Sequence, residues 1–146
     1  MADKIHVEWK WASSSEEENL RTDIVTQVEL TKLLDNIRSE SQERKEAISV
    51  VTYKNDNSLS HSIIVGLEKG AILTAQRLDG EPPNYISINE TSDSNNMVLF
   101  TFMGETSELP DKFVIPLEDA IEANLDGLDK DEPSPLIHWL SDNPYS

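Results

Sequence analysis

Residues 60–78, Ser60-His61-Ser62-Ile63-Ile64-Val65-Gly66-Leu67-Glu68-Lys69-Gly70-Ala71-Ile72-Leu73-Thr74-Ala75-Gln76-Arg77-Leu78, decide the architecture. Two apolar runs, 60–67 and 71–78, flank the short connection Glu68-Lys69-Gly70. A Gly-bearing link of that length predicts an antiparallel hairpin. Upstream, residues 47–54 form a β-branched run that predicts a further strand, broken by Asn55-Asp56-Asn57-Ser58. Downstream, Asp79-Gly80-Glu81-Pro82-Pro83 can only turn. Two more strands are predicted at 85–89 and 97–103, where Val98, Phe100 and Phe102 share one face.

The flanks supply the covering layer. Ile5, Val7, Trp9 and Trp11 alternate with polar residues, the period of a half-buried strand. Thr26 and Glu29 have the spacing of a capping box, with Val25 placed to staple onto Leu30. Leu30, Leu33, Leu34 and Ile37 then mark one face of a helix over about 27–40. Trp9 and Trp11 are expected to pack on that helix. Residues 104–110 are expected to be a loop. Pro116 suits the start of a second helix carrying Leu117, Ala120, Ile121 and Leu128, with Gly127 as its stop. An acidic loop over 129–135 should follow, and Trp139 should anchor the last segment to the sheet. The sum predicts one α+β domain spanning 1–146: an antiparallel meander of about six strands with two helices on one face.

Composition limits the chemistry. The 146 residues contain no cysteine, which excludes disulfides, thiolate catalysis and cysteine metal sites. The chain has no GxGxxG, phosphate loop, HExxH or GxSxG motif. His6, His61 and His138 lie far apart without acidic neighbours at ligand spacing. The stretch from Asp126 to Glu132 has the charge of a calcium loop but not its glycine or its closing glutamate. Neither a catalytic residue nor a cofactor or metal site is predicted. No apolar leader or membrane-length run is present, so the expected place is the cytoplasm.

The charge is unevenly placed. Net charge is −16; residues 1–78 hold 13 acids and 10 bases, whereas 79–146 hold 15 acids against Lys112 and Lys130 alone. Solubility alone gives no reason to strip bases from one half only. Such a field repels nucleic acid and anionic membranes and attracts basic proteins. A protein partner is therefore expected, with no nucleic acid and no membrane.

From about residue 61 to 141 the order of parts resembles a known family. After the hairpin and acidic turn come Glu108-Leu109-Pro110, then Val114-Ile115-Pro116-Leu117-Glu118-Asp119-Ala120-Ile121, and the ending Pro135-Leu136-Ile137-His138-Trp139. This is similar to the Imm-one family of bacterial immunity proteins, which protect cells from polymorphic toxins. One member is the antidote to a DNA cytosine deaminase toxin. The first 60 residues match in general layout only. The resemblance implies a non-enzymatic inhibitor that binds one basic, nucleic-acid-acting toxin domain, a deaminase or a nuclease, in a 1:1 complex. It implies that an acidic surface occludes the toxin's cleft.

In immunity proteins specificity resides in loops, which selects Asp79, Glu81, Glu90, Asp93, Glu105, Glu108, Asp111, Asp129 and Asp131 as toxin-binding candidates, and Tyr85 joins them as an aromatic beside the acidic turn. Two other readings compete. An acidic adaptor or DNA mimic would bind many basic proteins, and a hydrolase would use paired carboxylates.

Overall fold

The computed structural model describes residues 5–9, 21–54, 59–67, 70–77, 84–89, 96–102 and 105–142. In chain order these form β1 (Ile5–Trp9), β2 (Arg21–Val25), α1 (Gln27–Arg44), β3 (Ile48–Tyr53), β4 (Leu59–Leu67) and β5 (Gly70–Arg77). There follow β6 (Asn84–Ser87), β7 (Met97–Phe102), β8 (Glu105–Pro110), a 3-10 turn (Asp111–Phe113), β9 (Ile115–Pro116), α2 (Leu117–Lys130) and β10 (Trp139–Asp142).

The fold is α+β, as the patterning predicts. The hairpin β4–β5 lies at the centre, paired from Leu59 with Arg77 through Ile64 with Ile72. The sheet order is β10-β6-β5-β4-β3-β1-β2, so β3 to β6 form the expected meander. The antiparallel β1–β2 pair closes one side of the sheet, and β10 pairs antiparallel with β6 on the other. The hairpin of β7 and β8 leaves this path and touches β3 in parallel through Ile48 and Thr101.

Strand alternation sorts the apolar residues into two cores. On one face Ile5, Val7 and Trp9 join Ile48, Val50, Ile63, Val65, Ala71 and Leu73. Both helices cover this face, α1 through Leu30, Leu34 and Ile37, and α2 through Leu117, Ala120, Ala123 and Leu128. Each such Leu or Ile contributes roughly 1.5–3 kcal/mol of burial. Trp9 is therefore core, as expected; Trp11 lies outside the described residues. The opposite face exposes the alternate positions. Ile64, Ile72 and Phe113 there form a smaller core closed by Val98, Phe100 and Leu109 of the β7–β8 hairpin.

The helix ends follow local chemistry. Thr26 accepts a hydrogen bond from the Glu29 amide while the Glu29 carboxylate accepts from the Thr26 amide, a complete capping box. α1 runs on to Arg44 and ends with Lys45 in the left-handed region. Its last turn seats Ser41 against Gly66, at the irregularity of β4 between Ile64 and Leu67. Gly66 has φ +95°, and a Cβ there would overlap the Ser41 hydroxyl. Only glycine meets both demands.

Three sequence expectations need correction, and one strand is unmarked in the sequence. Residues 105–110 are a strand: Glu-Thr-Ser-Glu-Leu-Pro lacks apolar alternation, and its pairing with β7 supplies the order. Residues 21–25, which no pattern marked, pair with β1. Asp129 and Lys130 lie in α2 rather than in the loop. Gly127 does not stop α2 but sits inside it, buried against His61. A Cβ at 127 would overlap the His61 ring, so glycine serves close approach rather than termination.

Candidate protein-binding surface

The candidate residues separate along the strand direction of the sheet. The C-terminal end of β4 meets the start of β3 and the β7–β8 hairpin, since Val65 pairs with Ile48 and Ile48 pairs with Thr101. Glu108 and Asp111 lie at this end. Glu108 is exposed on β8 opposite Leu99, and Asp111 opens the 3-10 turn. The other end of β4 begins at Leu59, whose amide donates 2.7 Å to Asp131 Oδ1. Nine residues of strand separate the two ends, roughly 25 Å. Asp79, Glu81, Glu90 and Asp93 lie outside the described residues. Glu105 is placed as the first residue of β8.

At the Leu59 end the polar groups are held by internal partners. Asp131 caps β4 and takes the left-handed backbone conformation that ends α2. Asp126 accepts from the Ser134 hydroxyl at 2.6 Å and pairs with Lys130 at 3.0 Å. The Ser134 hydroxyl, then the Lys130 ammonium, hold the Asp126 carboxyl below its ordinary range. The same pairing raises Lys130. Trp139 Nε1 donates 2.7 Å to the Ser134 carbonyl, anchoring the last strand as expected. Tyr85 meets the Trp139 ring edge to face at 6.3 Å. Tyr85 is half-buried, an aromatic spent on this joint. Asp129 is exposed and helps raise Lys130. It stands in the last turn of α2, where the helix dipole disfavours an anion.

His61 is fully buried between β4 and α2, and neither ring nitrogen has a hydrogen-bond partner. Burial lowers its pKa from 6.5 to about 4, against the opposing pull of Asp131. The ring is thus neutral, a packing group held by Gly127. Beside it Thr52 and Asn124 exchange side-chain contacts at 3.3–3.4 Å. Gly127 was the legible signal, but its spacing also fits a helix stop.

The hairpin end differs in character. Met97 and Leu99 are exposed there, Leu99 by 63%. Leu67, Val98, Leu99 and Val114, with Asn89 and Asp111, line an open cavity of about 470 Å³. Asp111 Oδ1 is shielded from solvent and has no hydrogen-bond partner. The adjoining Lys112 holds its Nζ 5.3 Å above the Phe113 ring. Exposed apolar side chains rimmed by acids form the composition of a protein-binding hot spot. Neither Leu67 nor Leu99 is marked by the sequence, because exposure is set by the tertiary fold.

A second cavity, about 490 Å³, lies between the helices beside Asp35, Arg38, Leu117 and Glu118. Among the described residues no group of three or more His, Asp or Glu could hold a metal ion. No described helix is long and apolar enough to cross a membrane.

Comparison with protein families gives one finding. Residues 19–141 match the family described as Immunity protein Imm1. The match takes in α1 and β2 as well as the second half of the chain. Neither the curated proteins nor the solved structures contain a match.

Proposed function

Since the chain belongs to the Imm1 immunity protein family, we propose that it binds and neutralises one cognate bacterial toxin, a basic, nucleic-acid-acting deaminase or nuclease domain, in the cytoplasm. The family match over 123 of the 146 residues carries this reading. The net charge of −16 supports the choice of toxin class. A domain that grips nucleic acid presents a positive cleft, and an acidic inhibitor reaches it faster than diffusion of neutral partners allows. The inhibitor supplies no chemistry; it covers the cleft and excludes substrate.

The hairpin end is the stronger docking surface. It combines the exposed Met97 and Leu99 with Glu108 and Asp111, whereas Asp126 and Asp131 at the far end are engaged internally. The test is a titration of the purified toxin domain with the purified protein, following toxin activity and complex mass. Activity should fall linearly to zero at one equivalent, with light scattering reporting a 1:1 complex. A complex that forms while the toxin stays active would leave binding intact and remove neutralisation. An acidic adaptor would instead bind unrelated basic proteins equally well.

A further inference from the structure

The geometry points to the cavity beside Asp111 as a socket for a single arginine side chain of the toxin, an inference that rests on the toxin-binding reading above. The walls suit that side chain in two parts. Leu67, Val98, Leu99 and Val114 offer an apolar lining for the aliphatic stem. Asp111 stands on the same wall with its charge uncompensated. Its Oδ1 has lost solvent without gaining a hydrogen-bond donor, and no ion pair to it exists among the described residues. A carboxylate half-removed from water attracts a cation more strongly than one in full solvent. Arginine fits better than lysine because the guanidinium is planar, weakly hydrated and able to hold both carboxylate oxygens at once.

The surroundings keep the socket set before the partner arrives. The Asp111 amide donates 2.9 Å to the Asn96 carbonyl, and the Asn89 amide donates 2.7 Å to the Lys112 carbonyl. Ser87 donates 2.8 Å to the Phe113 carbonyl and accepts from the Leu73 amide at 3.0 Å, fastening the 3-10 turn to β5. Lys112, the residue after Asp111, holds its Nζ 5.3 Å above the Phe113 ring. Among the described residues Asp111 is therefore an unpaired charge in a fixed place, an arrangement that rewards a cationic partner.

The test uses full-length protein and its toxin domain. Asp111→Asn removes the charge and keeps the shape. It is expected to weaken toxin binding about 10- to 100-fold, mainly through faster dissociation, while thermal stability stays level or rises. Leu99→Lys places an ammonium at the socket mouth on an exposed side chain, so it tests the site even if Asp111→Asn misfolds. It should also cost at least about tenfold. On the toxin side, one Arg→Ala change should cause a loss that is not additive with Asp111→Asn, and Arg→Lys at that position should restore only part of it. Unchanged affinity in both Asp111→Asn and Leu99→Lys overturns the socket while leaving toxin binding in place. Coupling of Asp111 to a toxin lysine instead of an arginine overturns the choice of side chain. Failure of the unaltered protein to bind at all would strike the reading on which the socket rests.

Discussion

Changing Glu108 to lysine should slow association with the toxin domain by roughly 10-fold in physiological salt, whereas Asp129→Lys should change it by roughly twofold or less. Both substitutions alter the net charge by the same amount, from −16 to −14. A difference between them therefore reports position rather than total charge. Glu108 lies opposite the exposed Leu99, within the surface that carries Met97 and Asp111. Asp129 lies at the other end of the sheet, roughly 25 Å away. At that range the Debye length of about 8 Å in physiological salt screens most of its pull on a partner docked at the hairpin. Raising salt should slow the unaltered protein and narrow the gap between the two variants. Stopped-flow measurement across a salt series decides the matter; equal slowing by both variants would move the docking surface away from the hairpin.

The second large effect concerns stability and acid. His61 is buried neutral, with its pKa lowered to about 4, whereas the unfolded chain returns it to 6.5. Between those values the unfolded state binds the extra proton, so stability falls as pH falls through 6.5 and levels off below about 4. Full traversal of the window is worth about 3 kcal/mol, and a drop to about pH 5 roughly 2 kcal/mol. Carboxylates titrate over part of the same range, so the comparison is with His61→Gln, which lacks the group. Urea unfolding at about pH 7.5 and about pH 5 should show the parent losing roughly 2 kcal/mol more than the variant. Parallel losses in the two proteins would mean that the ring is already hydrated or paired in the folded state.

His61 and Gly127 also show how far the sequence could be read. Gly127 follows a helical repeat, and a glycine there has the same local signature whether it ends the helix or admits a neighbour. The neighbour is 66 residues away on β4, so only the folded chain separates the two cases. The capping box at Thr26 and the β4–β5 hairpin were legible because each is decided within a few residues. β8 was not, because its polar residues become a strand only through pairing with β7. The same division runs through the site. The acidic bias of the second half is a property of composition and is plain in the chain. The cavity is lined from Gly66 to Val114, so residues remote in sequence meet there. No periodicity brings Leu67, Leu99 and Asp111 together before folding. The acids at 79, 81, 90 and 93 remain interface proposals on charge alone.

The central claim is protection against one toxin. Its most direct measurement is growth of cells that express the cognate toxin domain, with and without the chain itself. Co-expression should restore growth to the level of a catalytically dead toxin, and an unrelated toxin should remain lethal. Undiminished killing by the cognate toxin, with the protein present and folded, would contradict the account.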